Sequence, residues 1–347
     1  MSVKPQSKTK PDLLNSPILP TLKKMTIPMI FGMITLMMFN LVDTFFISLL
    51  GTEPLAAVSF TFPVTFTVIS LAIGLGIGTS AVIAKALGSD NLDEARFDAS
   101  MSLLVSVVMV FCLSALGYLY IEPIFKLLGA GEQVLPLIHD YMSVWFIGSV
   151  FLITPMVGNS VLRASGDTKT PSIVMGGAGL INAILDPVLI FGFGPIPALG
   201  IQGAAIASVI AWAVAVIIIL YILAIKNGLL SLHAGQQTAV SSVRKILKIG
   251  LPAAGANMLT PIAMAVMTAL VAKHGPEAVA AFGVGSRIES IASLVVLALS
   301  MTLPPFVSQN FGAGKFERVK EAYSKTLKFV MIWQFAIYIL LLLTSGF

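Results

Sequence analysis

The chain has 347 residues, of which 57% are hydrophobic and only 11% charged, and its mean hydropathy is +0.96. Soluble domains carry about 25% charged residues, so the composition excludes an ordinary soluble protein. The apolar runs exceed 20 residues, which indicates membrane-spanning helices rather than barrel strands. The net charge of +5 resides in loops and gives no nucleic-acid signal, and the single Cys112 excludes an internal disulfide or a cysteine-based metal site.

Nine apolar spans bounded by Gly, Pro or charge clusters can be placed along the chain, which predicts an all-α polytopic membrane protein. The predicted spans are 21–50, 54–86, 98–121, 134–161, 171–194, 200–225, 249–273, 277–308 and 322–345.

The loops differ in charge from one side of the membrane to the other. All but three of the 21 Lys and Arg residues fall on the side of the N-terminus; Lys126 and Lys273 lie on the opposite side and Arg287 within a span. Basic loops stay in the cytoplasm, so we expect a cytoplasmic N-terminus in the plasma (inner) membrane of a prokaryote. Residues 1–15 have no apolar core and are predicted to be a disordered cytoplasmic tail.

An internal repeat relates the two ends of the chain. An offset of 224 residues places Pro28 over Pro252 and Gly88 over Gly312. Six helices separate equivalent points, so the repeats run parallel across the membrane. The sequence predicts an N-lobe (16–225, helices 1–6), a cytoplasmic inter-lobe loop (226–248) and a partial C-lobe (249–347, helices 7–9). Three helices of the second repeat are missing, which indicates a truncated or natively partial chain.

Two spans carry an acid together with an amide on one helical face. The first span has Asn40 and Asp43, and the fifth has Asn182 and Asp186. Each acid lies eight residues before a glycine at the outer end of its span, which is about 12 Å along a helix. We therefore expect the two carboxyl groups at one depth in the membrane.

A carboxylate in lipid is costly unless it faces a cavity or a partner, so these acids indicate a functional site. Two acids in one poorly hydrated cavity cannot both ionise cheaply, so one should hold a proton. With amide and carbonyl oxygens added, Asp43, Asn182 and Asp186 are also possible ligands of Na⁺. The alternative is a pair that is hydrogen-bonded to neighbouring helices and never titrates. No other metal site and no organic cofactor is expected.

Arg287 and Glu289 in the eighth span are predicted to be a second buried charged group. Arg287 either neutralises an acid across the molecule or, with Glu289, stabilises packing. The sequence leaves both interpretations open.

Five segments resemble the multidrug and toxic compound extrusion (MATE) family, most nearly its DinF-like branch. They are NLVDTFFISLLGTEPLAAVS, LRASGDTKTP, LINAILDPVLIFGFG, GIQGAAIAS and GSRIES. The resemblance implies a V-shaped, two-lobed bundle of twelve helices, of which nine are present here. It implies export of amphipathic, usually cationic compounds against an inward flux of protons or Na⁺.

The resemblance also assigns roles to residues. Asp43 matches the family's first-helix acid, Asn182 and Asp186 its fifth-helix pair, Asn159 its fourth-helix amide, and Pro28 the proline at which the first helix bends. Phe39 stands where some members have tyrosine, so one hydrogen bond near the acid is absent. No carboxylate lies between Pro252 and His274, so the second-lobe sodium site of other branches is not expected.

The resulting hypothesis is a monomeric, non-enzymatic antiporter that exports cationic amphipathic compounds across the bilayer, with coupling to protons preferred over Na⁺. One alternative is a flippase for a lipid-linked saccharide precursor, although a cationic cavity would suit pyrophosphate better than these acids. Another is an inactive truncated form. No metal-ligand spacing, Ser–His arrangement or phosphate loop favours a membrane enzyme.

Overall fold

A computed structural model describes residues 11–233, 238–274 and 276–344, and in these ranges the chain is almost entirely helical. The helices are α1 (Ile18–Ser48), α2 (Thr52–Gly88), α3 (Leu92–Leu119), α4 (Ile121–Leu127), α5 (Leu135–Ala164), α6 (Lys169–Phe191), α7 (Gly200–Tyr221), α8 (Ala239–Ala272), α9 (Pro276–Ala292), α10 (Leu294–Gly312) and α11 (Phe316–Thr344). A five-residue π-helical turn, Ile222–Lys226, extends α7.

Nine helices in the described part of the chain are long and apolar enough to cross a membrane, which confirms the prediction of nine spans. They are α1, α2, α3, α5, α6, α7 with its π-helical turn, α8, α10 and α11.

Several predicted boundaries are wrong. The span predicted at 277–308 is divided at Ser293 into α9 and α10, and the short helix α4 was not predicted. Helix α8 begins at Ala239, so much of the predicted loop 226–248 is helical, and residues 234–237 of that loop lie outside the described ranges. Local capping explains two early starts: the Asn91 side chain accepts from the Glu94 N–H before α3, and the Thr238 hydroxyl accepts from the Ser241 N–H before α8.

The internal repeat is visible in the helix boundaries. Helix α2 runs from Thr52 to Gly88, and α9 with α10 runs from Pro276 to Gly312, so both ends are shifted by 224 residues. Helices α3 and α11 begin at Leu92 and Phe316 with the same shift. Helices α1–α3 and α8–α11 are therefore structurally equivalent sets.

The two repeats meet at the basic end of the helices, which we call the seam. A Cβ atom placed at Gly88 would overlap the carbonyl oxygen of Gln309, and one at Gly312 would overlap the carbonyl oxygen of Lys85. These two contacts are equivalent under the 224-residue shift. Such close backbone approach is possible only because both positions are glycine.

The same seam is closed by a second pair of equivalent contacts. Thr26 of α1 and Thr302 of α10 share a hydrogen bond of 2.9 Å and are both buried. The equivalent positions, Gly250 of α8 and Gly78 of α2, approach so closely that a Cβ on Gly78 would lie 3.0 Å from the Gly250 nitrogen. At the opposite end, Leu41 of α1 and Leu270 of α8 are exposed. The two repeats are thus in close contact at the basic end of the helices.

Residues 11–16 form a turn against the second repeat. Leu13 is 2% exposed and packs with Phe306 of α10. The Arg318 guanidinium of α11 donates to the carbonyls of Ser16 (2.8 Å) and Leu13 (3.3 Å). The prediction of a disordered tail over residues 1–15 is therefore wrong for 11–15, while residues 1–10 lie outside the described ranges.

Candidate functional site

Asp186 is fully buried on α6 and is held by the amide predicted to accompany it. The Asn182 amide nitrogen, one turn earlier, donates to Oδ1 of Asp186 at 3.1 Å and to the Ser208 hydroxyl of α7 at 3.3 Å. A helical spacing of four residues makes this bond possible. The result is a carboxyl group fixed at the interface of α6 and α7.

Asp43 of α1 lies beside Asp186, and the two carboxyl groups are within hydrogen-bonding reach of each other. Oδ1 of Asp43 and Oδ2 of Asp186 are buried and have no hydrogen-bond partner among the described residues. The prediction that the acids of two separate spans lie at one depth therefore agrees with the structure.

Close packing of α1 on α6 brings the acids together. The Phe39 ring covers Gly179, where a Cβ would lie 2.6 Å from the ring's Cγ. Nearer the seam, a Cβ on Gly32 would lie 3.0 Å from the Ser172 hydroxyl oxygen. Two glycines, one on each helix, allow this approach. Phe39 thus positions the helices but offers no hydrogen bond to the acids.

Tyr141 of α5 was not singled out in the sequence. It is buried at 8% exposure and lies close enough to interact electrostatically with both Asp43 and Asp186. A phenol near the N-terminal end of the span was the available signal, but sequence alone does not say which helices face each other.

Of three other predicted site residues, two lie far from the acid pair along their helices and one, Asn40, is a single turn from Asp43. Asn159 is buried with an unpartnered Oδ1, but it follows Tyr141 by eighteen residues, about 27 Å along α5. Pro28 precedes Asp43 by fifteen residues, about 22 Å along α1. The Asn40 side chain is exposed. Pro28 and Asn159 are therefore not part of the acid pair's site.

Pro28 has room around it. It lies inside the continuous helix α1 and lines a cavity of about 220 Å³ between α1 and α6, together with Phe31, Gly32 and Lys169. A proline removes one backbone hydrogen bond within a helix, which lowers the cost of bending there. This cavity is an open groove on the surface of the helix bundle, so Pro28 is not tightly packed by its neighbours.

Arg287 and Glu289 are both exposed on α9, so the prediction of a buried charged pair is wrong. Helix α9 packs mainly along α8 and the start of α10, and the Trp333 indole of α11 donates to the carbonyl of Ala292 at its end. No ion pair of Arg287 occurs among the described residues.

The acid pair can bind a proton or a small hard cation. A proton shared between the carboxyl groups would satisfy the buried, unpartnered oxygens without leaving two charges in a poorly hydrated site. Two carboxyl groups and the Asn182 amide oxygen are also oxygen ligands of the kind that Na⁺ accepts. Within the ranges the structure describes, no group of three His, Cys, Asp or Glu side chains is arranged to hold a metal ion.

Comparison with known proteins identifies the family to which the chain belongs. The sequence matches the MatE family over residues 28–188 and 252–347. It is 47% identical over 333 residues to the FAD transporter of Shewanella oneidensis, covering 96% of this chain and 74% of that protein. It is 28% identical to the probable multidrug resistance protein YoeA of Bacillus subtilis, covering 78% of this chain and 60% of that protein. The chain thus spans about three quarters and three fifths of these relatives.

Solved structures agree. The Vibrio cholerae MATE transporter VcmN in the bent form matches with a TM-score of 0.87 and 34% identity, over 94% of this chain and 75% of that one. An outward-facing multidrug resistance MATE family transporter matches with a TM-score of 0.89 and 27% identity, over 99% and 76%. By sequence and by fold, the chain belongs to the MatE family and is a membrane transporter of the MATE type.

Proposed function

We propose that the chain is a cation-coupled antiporter in which Asp43 and Asp186 bind the coupling ion, with protons preferred over Na⁺. The observation that carries the proposal is the neighbouring pair of carboxyl groups on α1 and α6. Asp186 is fully buried and Asp43 half-buried, and each has a buried oxygen without a partner among the described residues. Such a pair is costly to keep ionised in a membrane and gains most from a bound proton.

The coupling follows from binding to two states. With the seam closed and the opposite ends apart, the acid pair takes up a proton, α1 bends at Pro28, and a bound cation loses its counter-charge and is released. Opening of the seam returns the proton to the cytoplasm. The proton can drive this change only because it binds the two states with different affinity.

Amphipathic, cationic compounds are the first candidate substrates. An ionised acid pair attracts a cation and a protonated pair does not, so the proton and the cation compete, which is the requirement for antiport. Relatives named as multidrug resistance or multidrug export proteins support this choice.

A flavin dinucleotide is the second candidate, because the relative with 47% identity is named a FAD transporter. Its pyrophosphate is anionic, so protonation of Asp43 and Asp186 would strengthen its binding instead of weakening it. The two substrate classes therefore predict opposite effects of an acidic exterior on substrate release.

The test is efflux from energised cells of a fluorescent lipophilic cation and, in parallel, of FAD. Asp43→Asn and Asp186→Asn should each abolish efflux of the true substrate at unchanged membrane expression, and Asp140→Asn, an exposed acid on α5, is the matched control. Retained efflux in both variants would end the proposal. A response to Na⁺ at fixed pH would replace the proton by Na⁺. We also propose a monomer, without enzymatic activity, in the inner membrane, with its N-terminus in the cytoplasm.

A further inference from the structure

A buried carboxyl group that the coupling site does not use lies at the seam. Asp98, in the second turn of α3, is fully buried, and its Oδ1 accepts a hydrogen bond of 2.5 Å from the Ser242 hydroxyl of α8. Its Oδ2 is buried and has no partner among the described residues. Asp98 therefore has one side-chain bond, and that bond crosses from the first repeat to the second.

A second contact lies one helical turn away. Glu94 of α3 forms an ion pair of 2.8 Å with Lys245 of α8. Because Glu94 and Asp98 are four residues apart, and Ser242 and Lys245 three apart, each helix presents both of its groups on one face. We call these four residues the clasp.

Apolar packing shields the Asp98–Ser242 half of the clasp from water, whereas the Glu94 and Lys245 side chains are 25% and 40% exposed. Val82 of α2, Phe97 and Met101 of α3 and Ile246 of α8 form a buried cluster beside it. Shielding strengthens the polar contacts while the seam is closed. It also makes a broken contact costly, because the Asp98 carboxyl would lose its Ser242 partner.

The internal repeat supplies an independent argument. The 224-residue shift places Glu94 over Arg318, which donates to the carbonyls of Ser16 and Leu13 just before α1. Glu94 and Arg318 thus occupy the same position in their repeats, and each binds the first helix of the other repeat or the segment just before it. The chemistry differs, an ion pair on one side and a guanidinium on backbone carbonyls on the other, but the place in the fold is the same.

We propose that Asp98 and Glu94 are positioning residues of the transport cycle: through Ser242 and Lys245 they hold the seam closed, and they must release it when the cytoplasmic end opens. The proposal rests on transport by alternate opening of the two ends. It does not depend on the coupling ion or on the substrate.

The test is cysteine labelling of the seam, which needs neither substrate nor ion gradient. In a Cys112→Ser background, Val82→Cys places a thiol in the apolar cluster, where it is 9% exposed. A membrane-impermeant maleimide is applied to the cytoplasmic face of inside-out vesicles. We expect Asp98→Ala to raise the labelling rate by about tenfold, the effect of losing one charged hydrogen bond. Glu94→Lys and Lys245→Glu should raise it by about fivefold, because their ion pair is partly exposed.

Rescue separates a clasp from a loss of folding. The double variant with Glu94→Lys and Lys245→Glu restores the pair in reverse and should return labelling to within about twofold of the parent. Asp98→Asn keeps an acceptor for Ser242 and should do the same. Glu122→Lys, which breaks an exposed pair with Lys126 on the far side, is the matched control. Parental labelling in the single variants, or fast labelling that neither rescue reverses, would overturn the proposal.

Discussion

Gly88→Ala tests the close contact between α2 and α10 at the seam. A Cβ on Gly88 would lie 2.8 Å from the Gln309 Cα and still closer to its carbonyl group, where ordinary contact begins at 3.4 Å. The obstacle is backbone, so no side-chain rotation relieves it, and α10 must retreat by about 0.6 Å or more. Overpacking of this kind costs about 1–3 kcal/mol.

The higher helix propensity of alanine opposes this steric cost, so a control variant is needed that shows the propensity effect alone. Replacing a helical glycine by alanine gains about 1 kcal/mol at most where space is available. Gly177 of α6 has no atom within 4 Å of its would-be Cβ, so Gly177→Ala shows this gain alone.

The assay is thermal unfolding of the purified protein in detergent, followed by tryptophan fluorescence. We expect Gly88→Ala to melt several degrees below Gly177→Ala, since about 1 kcal/mol corresponds to about 2–4 °C in proteins of 150–250 residues. Gly312→Ala, the repeat-equivalent change, should behave like Gly88→Ala. Equal melting temperatures for all three variants would refute the argument from backbone contact.

Three further predictions concern the helix starts at the seam. Asn91→Ala removes the cap of α3 and should destabilise the protein by about 1 kcal/mol, measured by the same melting assay. Asn91→Ser keeps a capping oxygen without placing a second carboxylate beside Glu94, and should cost less. Arg318→Gln should accelerate proteolytic cleavage within residues 11–16 at least severalfold, because the guanidinium contacts to two carbonyls are lost. An unchanged cleavage rate would mean that the packing of Leu13 alone holds the segment. Burial tends to raise the pKa of Asp12, but the Asn15 side chain, the Leu14 and Asn15 N–H groups and the Lys315 charge outweigh it, so the folded pKa is lowered. The Asp12 carboxylate therefore stabilises the docking of residues 11–16 above about pH 4, the ordinary pKa of an aspartate, and this stabilisation is lost as the pH falls through the lower folded pKa. Asp12→Asn should abolish the resulting pH dependence of the proteolysis rate.

The helices and the acid pair were accessible from sequence for a physical reason. A span of more than 20 apolar residues must form an α-helix in lipid, because only a helix satisfies all its backbone groups internally. The equal depth of the two carboxyl groups follows from the helix rise and from α1 and α6 running in the same direction. The repeat offset, found from short sequence matches, is reproduced by the ends of α2 and α10.

Other features were not accessible, because they depend on which helix faces which. Nothing local marks the division at Ser293, where neither Gly nor Pro interrupts the apolar run. The exposure of Arg287 and Glu289 reflects how little of α9 is covered, which composition does not reveal. Tyr141 comes near the acids through the packing of α5 against α7 and α2, which the sequence of α5 does not reveal.

Proton movement driven by substrate is the most direct test of the coupling site. In liposomes that contain the purified protein and a pH-sensitive dye, addition of the transported substrate should move protons in the opposite direction. Asp43→Asn and Asp186→Asn should each abolish this signal, while Asp140→Asn should leave it intact. Substrate-driven proton movement that persists in both acid variants would contradict the account.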